Sequence, residues 1–244
     1  MARYKLTLAY DGTHFAGSQR QSGKRTVQGE LEAGLRRLGW TGDSVLLAGR
    51  TDSGVHAWGQ VAAFDWEWPH SLEALQKALN ANLAPDMVVR EVDVVAPEFH
   101  PRYDATARRY RYRIFLQPLR DPFRERYAWR VWPPFSGEVL PLLAQLWVGR
   151  HDFCAFGSPP RAEGHTQRTV FSAGWEKQGD EWYFHIEADA FLYRMVRRLV
   201  YVQIAVARGR LPLEQVQQAL EKGRTLPAGL APAQGLMLME VKYS

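Results

Sequence analysis

The segment Gly49-Arg50-Thr51-Asp52-Ser53-Gly54-Val55-His56 places a carboxylate, Asp52, two residues after a guanidinium, Arg50. Thr, Asp, Ser and Gly each bond their own backbone or tolerate unusual dihedrals, so the cluster alone reads first as a turn. An ionised Asp in that turn can act as a nucleophile or as a general base. A neighbouring Arg favours the charged form of the carboxylate and fixes its direction through a charge-assisted hydrogen bond.

A second constellation is Thr106-Ala107-Arg108-Arg109-Tyr110-Arg111-Tyr112-Arg113-Ile114. Period-two alternation puts Arg109, Arg111 and Arg113 on one face of a strand and Tyr110, Tyr112 and Ile114 on the other. Basic residues interleaved with aromatics can hold phosphate and stack bases. The same pattern also describes an amphipathic strand with Tyr in the core and Arg in water. A third constellation, Ala190 to Val200, is apolar on nearly every side yet carries Arg194, Arg197 and Arg198. Buried guanidinium groups need anionic partners, and Asp52 or an RNA phosphate would serve; the alternative is that Arg194 and Arg198 snorkel to solvent.

Other chemistries find no motif. There is no P-loop, no G-x-G-x-x-G after a strand, no G-x-S-x-G elbow and no H-E-x-x-H. The single cysteine, Cys154, leaves no intrachain disulfide and none of the usual multi-cysteine zinc motifs, and the seven histidines are scattered. Nothing calls for a metal or a cofactor. The net charge is +5, and the 31 basic residues are mostly arginine, a bias that suits phosphate recognition and equally a GC-rich or thermophilic source. No apolar run approaches the roughly 18 to 20 residues of a membrane span, and no signal peptide precedes the first strand; a soluble cytoplasmic protein is expected.

These residues must be positioned by an α+β fold. A strand over Arg3–Tyr10 leads into a polar segment, 11–25, and Thr26 caps a helix marked by Val27, Leu31, Leu35 and Leu38. Strands over 44–48 and 60–66 flank the Asp52 turn, Ser71 caps a second helix, and Met87–Val95 closes the half as a strand. The order β-α-β-β-α-β is that of the ferredoxin-like split βαβ arrangement. The second half repeats it: strand 105–116, helix 138–148, strands 168–175 and 181–188, a long helix 191–208, a short helix 212–222 and a last strand 236–243. Two domains follow, 1–103 and 104–244. The polar segments 12–25 and 158–168, carrying Arg20, Lys24, Arg25, Arg161, His165 and Arg168, read either as basic arms for a polyanion or as ordinary solvated connections.

Along nearly its whole length the chain resembles the tRNA pseudouridine synthases that act on uridines 38 to 40 of the anticodon stem-loop. The resemblance rests on Tyr10-Asp11-Gly12-Thr13 with Gly17 and Gln19, on the 49–56 segment, on Phe99-His100 and on 105–112. It continues through Asp152-Phe153, Arg168-Thr169, Phe191-Leu192 with Met195-Val196-Arg197, and Gly235-Leu236. It implies a cofactor-free isomerisation of uridine to pseudouridine with base flipping, with Asp52 as the essential nucleophile and Tyr110 packed against the target base. Arg197 would pair with Asp52, and Arg50 would help hold the extruded nucleotide. It further implies two ferredoxin-like halves with antiparallel sheets joined around a central basic cleft, working as a homodimer. The remaining candidate contacts to tRNA are Arg109, Arg111, Arg20 and Arg168. The chain departs from the family pattern at Ser18, where Trp is usual, and at Tyr193 and Arg194, where many relatives carry two histidines.

The rival reading is an RNA-binding module without catalysis. Asp52 speaks against it, because a carboxylate among phosphate-binding arginines opposes affinity. A structural or protein-interaction role explains neither the Arg-Asp turn nor the Arg-Tyr strand.

Overall fold

The computed structural model describes residues 1–159 and 163–244. In chain order the elements are β1 (Ala2–Tyr10), α1 (Val27–Arg37), β2 (Leu46–Leu47), β3 (His56–Trp66), α2 (Leu72–Asn82), β4 (Met87–Val95) and β5 (Ala105–Phe115). They continue with β6 (Trp129–Arg130), α3 (Leu140–Leu146), β7 (Gly149–Asp152), β8 (Gln167–Gln178), β9 (Glu181–Ala188), α4 (Met195–Ala207), α5 (Leu213–Lys222) and β10 (Leu236–Tyr243). The fold is mixed α+β with mostly antiparallel strand pairing. The chain divides into two compact units, Met1–Thr106 with Met237–Ser244, and Ala107–Leu236.

In the first unit the strand order is β4-β1-β3-β10, with β2 also paired to β3. Alternation along β1 buries Tyr4, Leu6 and Leu8, and α1 and α2 bury Leu31, Leu35, Leu75 and Leu79. Each fully buried leucine contributes about 1.5–3 kcal/mol. The other face of β1 carries Arg3, Lys5 and Thr7, which bond Asp65, Asp93 and Glu91 on the neighbouring strands. Both expected N-caps form: Thr26 accepts from Gly29 N at 3.3 Å, and Ser71 accepts from Ala74 N at 3.2 Å. β3 begins at His56, directly after the Asp52 turn, rather than near residue 60. Its first residues pair in parallel with β10, a long-range contact that local propensity does not register.

In the second unit the order is β5-β9-β8-β7, all antiparallel, with β6 parallel to β5. The expected alternation along β5 is present: Tyr110, Tyr112 and Ile114 are buried, while Arg109 is exposed and Arg111 and Arg113 are half-buried. The fourth helix starts at Met195, not at residue 191. Tyr193 bridges to Ser158 through Tyr193 N–H and Ser158 O at 2.9 Å, and Arg194 takes φ 63°, so neither can lie in a right-handed helix. Among the described residues no helix is long and apolar enough to cross a membrane.

Candidate active site

The Asp52 turn is held from three directions by its own unit. Gly54, at φ 78°, lets the chain reverse so that Val55 N–H reaches Asp52 O at 3.1 Å. Thr51, the residue before the carboxylate, has each of its polar groups bonded. Its N–H donates to Ser18 Oγ at 2.8 Å, its carbonyl accepts from Ser18 N–H at 3.1 Å, and its hydroxyl lies 2.8 Å from the Tyr10 hydroxyl. Burial pushes the Tyr10 phenol above its ordinary range, against the effect of the Thr51 bond, so Tyr10 stays a neutral hydroxyl there. Gln60 on β3 donates to Gly49 O at 2.9 Å and so fixes the start of the segment.

The polar segment after β1 is what delivers these contacts. Asp11 caps a short 3-10 turn over Gly12–His14, and Phe15 is buried. Phe15 O accepts from Ser53 Oγ at 3.2 Å and from Gly54 N–H at 3.4 Å. Gly12 is required by close approach, because a Cβ there would lie 2.0 Å from Val55 O. Gly12 N–H donates to His56 Nδ1 at 2.9 Å. Asp11 Oδ1 approaches the same nitrogen at 3.1 Å, so both ends of the Asp11-Gly12 pair meet the first residue of β3. Asp52 itself is half-buried and Arg50 is exposed, so the carboxylate sits at the rim of a braced turn, open enough to meet a substrate.

Arg20 is also in this unit but serves a second purpose. Its Nη1 donates to Glu32 Oε2 at 2.7 Å, and Glu32 is fully buried. Half of the Arg20 side chain remains exposed.

The second unit carries the other candidates. Tyr110 is 8% exposed and meets Phe191 edge to face at 5.1 Å. Arg111 lies 5.6 Å over the Tyr183 ring and opposite His185 in the β5–β9 register. Burial lowers the His185 pKa; Glu176 opposes this, while the charges of Arg111 and Arg109 add to it. Arg113 is not available for phosphate in this arrangement, since Glu181 takes its fork at 2.7 and 2.6 Å. Arg168 is buried, and its Nη1 donates to His165 O at 3.1 Å and Gln167 O at 2.5 Å. Its Nε finds no hydrogen-bond partner among the described residues, and burial lowers its pKa against the pull of Asp189. Arg197, on the first turn of α4, donates from Nε to Ala231 O at 2.8 Å and its charge is felt at the buried Tyr112 hydroxyl. Arg161, in the second polar segment, lies outside the described residues.

The structure thus brings Asp52 and Arg50 together in one braced turn, and Arg109 and Arg111 together on one strand. Sequence reasoning missed Ser18, Tyr10 and Gln60 as supports. Each is a buried polar residue, Tyr10 at the end of β1, Ser18 in the loop after it and Gln60 within β3, and only their contacts reveal the role. Among the described residues no group of three or more His, Cys, Asp or Glu could hold a metal ion.

Comparison with known proteins assigns this arrangement to a class. The family described as tRNA pseudouridine synthase matches residues 7–104 and 143–244. The chain is 40% identical over 249 residues to tRNA pseudouridine synthase A of Limosilactobacillus fermentum, covering 100% of this chain and 96% of that protein. It is 41% identical over 245 residues to the protein of that name in Geobacillus kaustophilus, covering 99% and 94%. For the Myxococcus xanthus protein the figures are 41% over 245 residues, covering 100% and 92%. The chain belongs to the tRNA pseudouridine synthase family, enzymes that isomerise uridine to pseudouridine in tRNA.

Proposed function

We propose that this enzyme converts uridines 38, 39 and 40 of the tRNA anticodon stem-loop to pseudouridine, without a cofactor, through Asp52. The observation that carries the reading is the bracing of the turn. Three buried polar groups hold Thr51, and the Ser53-Gly54 reversal closes on Asp52 itself, so the carboxylate is presented by a backbone with little freedom. The reaction breaks the bond from ribose C1′ to N1 of uracil and joins C1′ to C5; N1 gains a proton and C5 loses one. Asp52 starts it either by attacking C1′ or by taking a ribose proton, and no outside reagent enters the balance.

Arg197 pairs with the Asp52 carboxylate in this reading and favours its charged form. Arg50 holds the extruded nucleotide, and Tyr110 receives the base in a partly apolar pocket. Arg109, Arg111, Arg20 and Arg168 bind phosphate, offsetting the few kcal/mol of unstacking. Two ferredoxin-like halves, 1–103 and 104–244, carry these groups. The order β4-β1-β3 with β2 beside β3 supports that topology in the first half, and β5-β9-β8 supports it in the second. The enzyme works in the cytoplasm, where its substrate is made, as a homodimer.

The test incubates the purified protein and its Asp52→Asn variant with unmodified tRNA and no cofactor. Pseudouridine is read by nuclease digestion and by carbodiimide-dependent reverse-transcription stops. Product at the anticodon stem-loop from the unaltered protein alone is expected. Product from Asp52→Asn at the unaltered rate would remove the catalytic assignment, and product only elsewhere in the tRNA would remove the target. A monomeric mass at working concentration would remove the dimer.

A further inference from the structure

Every residue of β3 from His56 to Phe64 is buried except Trp58, which is 50% exposed. Its ring is covered in part by Arg90 of β4, whose Cζ lies 4.1 Å from the ring centroid and whose Nη1 donates to Trp58 O at 3.0 Å. The two residues are not on neighbouring strands, because β1 runs between β3 and β4. Strands two apart in a sheet are separated by roughly 9–10 Å, so the meeting has to be arranged.

Two register shifts arrange it. On one side of β1 the pairing passes from Leu8–Gln60 to Tyr10–Ala57, which leaves Gly59 and Trp58 in the irregularity. On the other side it passes from Thr7–Glu91 to Leu8–Val89, which leaves Arg90 in the irregularity. Bulges of this kind re-aim side chains and are enriched beside active sites. Here both fall on the same stretch of β1, Thr7 to Tyr10, and each holds one member of the stacked pair.

Arg90 also differs from the ion-paired cations of its unit. Arg3, Lys5, Arg20 and Arg25 in the same unit are each bonded to a carboxylate. Among the described residues the Arg90 guanidinium has no carboxylate within ion-pair distance; it donates to the Trp58 carbonyl, while the Arg90 carbonyl accepts from Gln76 Nε2 at 2.5 Å. An exposed tryptophan capped by an unneutralised guanidinium offers an apolar face for a ring and a cation for a phosphate.

We infer that Trp58 and Arg90 form a stacking site for an unpaired base of the tRNA, with Arg90 meeting the phosphate of the same nucleotide. Taking a uridine out of the stack leaves a neighbouring base without a partner, and an aromatic platform accepts any base on its π face. The site rests on tRNA as the substrate and adds a contact that is independent of Asp52.

The experiment measures the Kd for an unmodified tRNA transcript at several salt concentrations, and KM and kcat for pseudouridine formation, in Trp58→Ala, Trp58→Phe and Arg90→Gln. Trp58→Ala is expected to raise Kd and KM about tenfold, within the roughly 5- to 150-fold range for loss of one base–aromatic stack. Trp58→Phe should recover most of that loss. Arg90→Gln should weaken binding and make the slope of log K against log salt shallower by about 0.7–0.9, one phosphate contact. Kd and KM within twofold of the unaltered protein in both Trp58→Ala and Arg90→Gln would overturn the site. So would a change in oligomeric mass with tRNA affinity untouched, which would make the surface a contact for a second copy of the chain. If Trp58→Ala fails to fold, Arg90→Gln and its salt slope decide. Failure of the protein to make pseudouridine would strike the catalytic reading and leave these binding comparisons standing.

Discussion

Ser18 Oγ accepts a 2.8 Å hydrogen bond from the Thr51 backbone N–H, and Ser18 N–H returns one to Thr51 O at 3.1 Å. Ser18 is fully buried and Thr51 nearly so, so water cannot replace either bond. The hydroxyl therefore sets the backbone one residue before Asp52.

Removing that hydroxyl should cost both stability and rate. In Ser18→Ala the Thr51 N–H is left buried without its acceptor, a loss of about 1–3 kcal/mol in denaturant unfolding. The carboxylate loses part of its positioning, and a displacement near 1 Å lowers a rate by on the order of 10²-fold. Single-turnover kinetics with saturating tRNA should show the rate falling while Kd stays put. A stability loss with an unchanged single-turnover rate would mean that Ser18 supports the fold and not the carboxylate.

Two glycines flanking the same turn should behave oppositely. A Cβ on Gly12 would lie 2.0 Å from Val55 O and 2.5 Å from Val55 C, both backbone atoms that cannot step aside alone. A Cβ on Gly49 meets nothing within 4 Å, at a backbone angle open to any residue. Gly12→Ala is expected to destabilise by at least about 1–3 kcal/mol through overpacking, and Gly49→Ala to fall within about 0.5 kcal/mol of the unaltered protein. Thermal or urea unfolding of the two variants side by side checks it, and equal midpoints would refute the close approach.

The strands Met87–Val95, Glu181–Ala188 and Leu236–Tyr243 were legible because alternation and flanking turn residues mark their ends. The helix caps at Thr26 and Ser71 were legible for the same local reason. What could not be read depends on distant partners. His56 to Gly59 has little strand propensity of its own and becomes strand by pairing with β1 and β10. The start of α4 is set by the Ser158 bridge, 35 residues away in sequence, and by the left-handed Arg194, not by the apolar periodicity that runs through Phe191 and Leu192. In the site, Asp52 and Arg50 stand out by type and spacing, whereas Ser18 is one small polar residue in a loop until its contact with Thr51 is seen.

Arg20 was expected at the substrate, and its structural duty predicts what its loss does first. Glu32 is buried, and its oxygens accept from Val45 N–H at 3.1 Å, Gln28 Nε2 at 3.1 Å and Arg20 Nη1 at 2.7 Å. Arg20→Ala removes the strongest cationic contact to that carboxylate. The loss should be roughly 1–3 kcal/mol, below the figure for a wholly buried pair because the Arg20 side chain is half exposed and screened. Glu32→Gln in the same chain should recover part of it, since a neutral amide needs no counter-charge. A double-mutant cycle by urea unfolding measures the coupling, and a coupling of zero would leave Arg20 as a substrate contact alone.

Asp86 and Arg25 give the braced loop a pH dependence whose sign is fixed. Arg25 donates to both Asp86 oxygens, at 2.7 and 2.8 Å, and this bonding, opposed by burial and aided by the Arg25 charge, holds the Asp86 carboxyl below its ordinary range. Arg25 also packs over Phe15 at 4.2 Å, and its carbonyl accepts from Ala16 N–H at 2.8 Å, so the pair fastens the segment that bonds Ser53 and Gly54. A carboxyl whose folded pKa is depressed contributes stability that is fully present above its unfolded pKa, near 4, and is lost as pH falls through the lower folded value. Asp86→Asn should therefore be less stable than the unaltered protein at pH 7, and the gap should close progressively below about pH 4 as Asp86 takes up its proton. Urea unfolding of both proteins between pH 3 and pH 7 reads this directly. A gap of constant size across that range would show that the pair contributes through packing and not through the charge on Asp86.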